Sequence, residues 1–158
     1  MIKKTVLWVL IILWMTAMFW FSHQEAAQSK RTSSEFIISV VEFFDFDNSL
    51  TELEKENIAE NLTFIVRKGA HFCAYAVFGV LVFFLLAEYG IKRLRQLIFS
   101  VGAAFLYACS DEFHQTFIKG RSGELRDIII DTLGALFGVL AISLISMIVK
   151  KMKKRHTF

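Results

Sequence analysis

Residues 111–115 read Asp-Glu-Phe-His-Gln and follow, after Ser110, an apolar run that ends at Cys109. On a helix, Tyr107, Asp111, His114 and Gln115 share one face, because residues three and four apart are neighbours there. An imidazole beside a carboxylate is suited to moving a proton near neutral pH, since the carboxylate orients the ring and favours its charged form. A second set stands in residues 67–75, where Lys68, His71 and Tyr75 recur at i, i+3 and i+7. A third is Asp127 with Asp131, one helical turn apart. Residues 119–127 form a polar turn with Gly120, Arg121, Gly123 and Arg126, and residues 21–33 add Ser22, His23, Gln24, Ser29, Arg31 and Ser33. Lys68 and Arg121 are cations suited to holding a phosphate or carboxylate, Arg as a planar fork and Lys as a point charge.

The elements that carry these groups are apolar blocks of membrane length. The chain of 158 residues is 55% hydrophobic, with 17 Phe and no Pro, and its mean hydropathy is +0.51. That is too apolar for an ordinary soluble domain of this size. A helix needs about 20 apolar residues to cross a bilayer. The blocks predict four spans, at about 5–22, 70–89, 97–115 and 127–149, in one all-α integral membrane bundle covering residues 1–158. The first has the charged start and apolar middle of a signal peptide. Its bulky end and missing Ala-x-Ala site make it an uncleaved first helix.

Charge sets the orientation. Ten basic residues lie before the first span, in the turn between the second and third, and after the fourth, against one acid, Glu88. The other two connecting segments hold eight basic and fourteen acidic residues. By the excess of Lys and Arg on the cytoplasmic side, both termini are expected inside and the two acidic segments outside. The basic run 150–155 then reads as a stop-transfer anchor on anionic lipid, and no nucleic-acid partner is expected. In the long outer segment, residues 33–46 and 51–66 each repeat apolar residues at helical spacing. The second opens with a capping box of Thr51 and Glu54. They predict two amphipathic helices that either lie on the outer leaflet or cap the bundle. Cys73 and Cys109 sit in apolar blocks as small buried side chains with no disulfide framework. Gly134 and Gly138 form a small-xxx-small pattern that serves helix packing within a monomer or the seam of a homodimer.

With this orientation, every polar set falls at one side of the membrane. A charged side chain well inside a bilayer costs about 2.5–3.5 kcal/mol, so such groups must face one another or a wet cavity. One outer pocket would satisfy them together. The catalytic candidates are His71, His114, Asp111 and Asp131, with a histidine transferring a proton and an aspartate orienting it. Lys68, Arg121, Gln115, Tyr75, Gln24, Ser29, Glu112 and Asp127 complete the substrate-binding set. Glu112 turns away from the face of Asp111 and His114 and is expected to be exposed, and His23 is expected to be solvated. No Cys-x-x-Cys or His-Glu-x-x-His motif is present, so no cofactor or metal is assigned. A divalent ion held by His71, His114, Asp111 and Asp131 is chemically compatible. The alternative is a buried polar network that only ties helices together. A transporter fits less well, because transport sites lie near the midplane.

Taken together, Lys68, His71, Tyr75, Asp111, Glu112, His114, Gln115, Gly120, Arg121, Asp127, Asp131 and Gly134 resemble the combined pattern of the VanZ-like family of small bacterial membrane proteins. The resemblance spans about residues 5–148, with Lys119 where relatives often carry Pro. It implies a place in the cell envelope and, through the founding member, an association with teicoplanin resistance in Gram-positive bacteria. It implies no settled activity. The expected partners are the lipid bilayer and an anionic lipid-linked cell-wall intermediate or lipoglycopeptide, acted on by an enzyme or held by a binder.

Overall fold

The computed structural model describes residues 2–45 and 49–155, and for residue 150 and residues 153–155 the backbone alone. Phe46 and the side chains of most of the basic tail therefore lie outside the described residues. Among these, all regular structure is helical: α1 (Ile2–Ser22), α2 (Ala26–Phe44), α3 (Glu52–Glu88), α4 (Arg93–Gln115) and α5 (Leu125–Arg155). Three helices are long and apolar enough to cross a membrane: α1, α3 and α5 over Leu125–Val149. Helix α4 has 23 residues, or about 34 Å at 1.5 Å per residue. Its inward face is polar, with Gln96, Ser100, Asp111, Glu112 and Gln115 all buried.

The outer segment differs from expectation in one respect. Residues 51–66 do not form a separate helix but run unbroken into the second apolar block, giving α3 its 37 residues. At about 55 Å it is far longer than a hydrocarbon core of about 30 Å. The helix starts where predicted: the Thr51 hydroxyl accepts from the Glu54 N–H, and the Glu54 carboxylate accepts from the Thr51 N–H at 2.8 Å. Helix α2 lies antiparallel to the first half of α3, tied to it by Ser34–Thr63 (3.1 Å), Lys30–Glu60 (3.3 Å) and Asp45–Lys55 (3.8 Å). Helix α2 packs along Lys55, Ala59 and Thr63, which are buried, while Leu53, Leu62, Phe64 and Ile65 stay exposed, and the helix continues through Gly69 without a break.

Helix α3 is the hub, packing against all four others. Its contact with α5 is close because α5 offers glycine. A Cβ at Gly138 would stand 2.5 Å from the Ala76 carbonyl oxygen, and one at Gly134 would press harder still on that of Phe72. Gly79 faces Ala135 in the same seam. Gly134 and Gly138 thus serve packing within the chain. Helix α1 contributes Ile11, Met18 and Ser22 as its buried stripe. It is held by Trp14 Nε1 donating to the Ala74 carbonyl (2.9 Å) and Tyr107 Oη donating to that of Met15 (2.8 Å). Cys73 is exposed and Cys109 half-buried, both as free thiols. Burial of Cys73 was expected from its apolar surroundings, but in a membrane helix apolar residues face lipid as readily as the core.

Candidate functional site

Three helices bring their polar residues to one point. His71 of α3, Asp111 of α4 and Asp131 of α5 each place a ligating atom within 4.8 Å of the others'. Asp131 is fully buried and Asp111 is 4% exposed. His71 Nδ1 is 3.8 Å from Asp131 Oδ2, an ionic approach and longer than a hydrogen bond. Both Asp131 oxygens, Asp111 Oδ1 and the Tyr75 hydroxyl are buried without a hydrogen-bond partner. Such groups are costly in a membrane protein, where water does not reach the core.

The rest of the set divides between scaffold and cavity. Asp111 Oδ2 accepts from Ser22 Oγ (2.6 Å) and from Gln115 Nε2 (3.1 Å), which fixes the carboxylate between α1 and α4. Gln115 in turn accepts from Arg121 Nη1 (3.0 Å), and Arg121 Nη2 donates to the Phe21 carbonyl (3.4 Å). This chain staples the 116–124 turn onto the end of α1. The turn closes through the Arg121 N–H to the Ile118 carbonyl (3.0 Å), with Gly120 at a φ of 74°. Gly120 supplies the left-handed residue, so Lys119 in place of Pro leaves the turn intact.

Glu112 is not exposed. It is buried, accepting from the Glu124 N–H (2.9 Å) and from Gln115 Nε2 (3.2 Å). The turn folds back over it, with Gly123 against its backbone, an effect the helical face of residues 107–115 does not reveal. Lys68 and Asp127 form an ion pair with each other between α3 and α5. His114 stands apart from the His71 cluster: its Nε2 is 3.2 Å from His23 Nδ1, and its ring centroid lies 4.6 Å from that of Phe19. His23 is exposed, as expected, and contacts His114.

A cavity of about 510 Å³ opens beside the cluster, between the C-terminal end of α1, α2 and α3. Its lining combines the apolar Trp14, Met18, Phe21, Phe36 and Ala74 with the polar Gln24, Ser29, Arg67, His71, Tyr75 and Asp111. Arg67, Ser22, Thr32 and Ser33 are polar members that the sequence reading left out of the site, although Ser22 and Ser33 stood in its polar set at residues 21–33. Arg67 lies four residues before His71 and eight before Tyr75, which was a usable signal. Burial pushes the Arg121 guanidinium below its usual value, and the charge of Arg67 acts in the same direction.

The VanZ/LLP1 family pattern matches residues 7–146. The chain belongs to the VanZ/LLP1 family. No curated protein and no solved structure matches it. The match takes in the cluster residues of α3, α4 and α5, as well as α2, which lines the cavity. The residues that carry the resemblance in the sequence sort by role in this member of the VanZ/LLP1 family. His71, Asp111, Asp131 and Tyr75 meet at the cavity end. Lys68 pairs with Asp127. Glu112, Gln115, Gly120 and Arg121 hold the turn, and Gly134 spaces α3 from α5.

Proposed function

We propose that this protein binds, at the outer face of the bacterial cell membrane, an amphipathic anion of the lipid-linked cell-wall type. In this reading it is a four-span bundle, α4 included, with both termini in the cytoplasm. The single observation that carries the reading is the 510 Å³ cavity, whose lining joins apolar side chains to Arg67 and His71. A prenyl or acyl chain suits the wall of Trp14, Met18, Phe21 and Phe36. A phosphate or pyrophosphate suits Arg67, with Arg121 adding positive potential nearby. The polar residues Gln24, Ser29, Thr32 and Ser33 at the rim offer hydrogen bonds to a sugar or peptide head.

The envelope context of the VanZ/LLP1 family is consistent with such a ligand. The lipoglycopeptide teicoplanin combines an acyl tail with a polar head, so the same cavity accommodates the resistance association. His71 is the proton-transfer candidate, since it is the imidazole of the cluster, lines the cavity and faces Asp131. His114 belongs with His23 at the α1–α4 edge and is assigned no role in turnover.

The test is photo-crosslinking of a short-chain polyprenyl phosphate probe to the purified protein in nanodiscs. Labelling at the α1 end, α2 and residues 66–75, competed by unlabelled polyprenyl phosphate, is expected. Labelling confined to the outward surfaces of α1 and α5, with no competition, would remove the reading.

A further inference from the structure

We propose that His71, Asp111 and Asp131 form the binding site of one divalent metal ion of borderline hardness, of the Zn²⁺ or Mn²⁺ class. This inference does not rest on the lipid reading. It rests on two independent observations. The first is convergence: three donors from three helices lie within 4.8 Å of one another. Around an ion with bonds of about 2.0–2.2 Å, neighbouring donors stand about 3–3.5 Å apart. The 3.8 Å between His71 Nδ1 and Asp131 Oδ2 closes to that value with a small side-chain adjustment. The second is unmet polarity. Asp131 is 0% exposed and neither of its oxygens has a hydrogen-bond partner, and Asp111 keeps Oδ1 free. A cation is what two buried carboxylates need in order to share one place.

The surroundings have the form of a metal site rather than of a chance cluster. Ser22 and Gln115 both bond to Oδ2 of Asp111, which fixes that carboxylate while leaving Oδ1 available. Outer partners of this kind orient metal ligands. Lys68 and Arg121, the cations that would otherwise neutralise the aspartates, are engaged by Asp127 and by Gln115 with Phe21. One imidazole and two carboxylates select a borderline ion over a soft one. Three protein ligands leave at least one position open, the pattern of catalytic rather than structural zinc sites. His71 and Asp111 line the cavity, which supplies the entry path and room for an oxyanion or water at that position.

The experiment uses the full chain in nanodiscs, stripped with chelator and reloaded separately with Zn²⁺, Mn²⁺ and Co²⁺. Bound metal is measured by elemental analysis after dialysis, and the Co²⁺ form by its visible spectrum. One ion per chain is expected for wild type. Asp131→Asn and His71→Gln should lose it, and Glu60→Gln, which is exposed on α3, should keep it. Ser22→Ala should bind roughly 10–100-fold more weakly, as an outer-partner change does. Helical circular dichroism and a single size-exclusion peak establish that each variant is folded. Should Asp131→Asn fail that check, His71→Gln alone decides, because the His71 side chain is 30% exposed whereas that of Asp131 is fully buried. No retained ion in wild type, or equal retention in wild type and His71→Gln, overturns the proposal.

Discussion

Replacing Gly138 by Ala tests the spacing on which the whole site depends. The added Cβ would lie 2.5 Å from the Ala76 carbonyl oxygen and 3.0 Å from its carbonyl carbon. Normal contact is about 3.5 Å, so α3 and α5 must part by about 1 Å. Overpacking of this kind costs about 1–3 kcal/mol. The better helix propensity of Ala offsets about 0.5–1 kcal/mol. The net loss is about 0–2.5 kcal/mol, and its midpoint of about 1 kcal/mol is a roughly 5-fold fall in the folded-to-unfolded ratio. Gly134→Ala should cost more, because its Cβ meets the Phe72 carbonyl at closer range, next to His71. Gly102 on α4 is the control, since its Cβ would meet nothing within 4 Å. Gly102→Ala should be neutral or stabilising by up to about 1 kcal/mol. The assay is reversible unfolding in mixed micelles by titration with a denaturing detergent, followed by helical circular dichroism. If Gly138→Ala and Gly102→Ala change stability in the same direction, the α3–α5 seam is not as described.

Other consequences are testable in the same preparation. A double-mutant cycle on Lys68 and Asp127 should give a coupling of about 1–3 kcal/mol, below the full-burial figure because the pair keeps partial exposure. Thr51→Ala should destabilise the start of α3 by about 0.5–2 kcal/mol through loss of the capping box, read by hydrogen exchange at residues 51–56. Tyr107→Phe should cost about 0.5–1.5 kcal/mol by releasing the Met15 carbonyl that holds α1 to α4. If the proposed function holds, wild type should protect a sensitive Gram-positive host against teicoplanin, Asp131→Asn should not, and His114→Ala should, at equal membrane abundance. Equal protection by both variants would make the buried cluster structural only.

The apolar blocks of α1, α3 and α5 were legible because a bilayer imposes length and hydropathy on them directly. The capping box was legible because it is local to Thr51 and Glu54. The convergence of His71, Asp111 and Asp131 followed from placing every polar residue at one membrane side. What escaped the sequence depends on which helix lies beside which. The unbroken α3 has α2 packed along its Lys55, Ala59 and Thr63 face, a pairing that periodicity does not name. Arg67 and Lys68 are adjacent and about 100° apart around the helix. Periodicity alone did not show that one faces the cavity while the other faces Asp127. The burial of Glu112 requires the 116–124 turn to fold back and present the Glu124 N–H. His114 left the expected cluster because α1 places Phe19 and His23 beside it.

The most direct measurement is the equilibrium binding of a short-chain polyprenyl phosphate, and of the uncharged polyprenol of equal length, to wild type and Arg67→Ala in nanodiscs. A hydrogen bond to a charged group contributes about 1.5–3 kcal/mol, so wild type should prefer the phosphate by roughly 10–150-fold. Arg67→Ala should remove most of that preference while still binding the polyprenol. Equal affinity of wild type for both compounds, or an undiminished preference in Arg67→Ala, would contradict an anion-selective cavity.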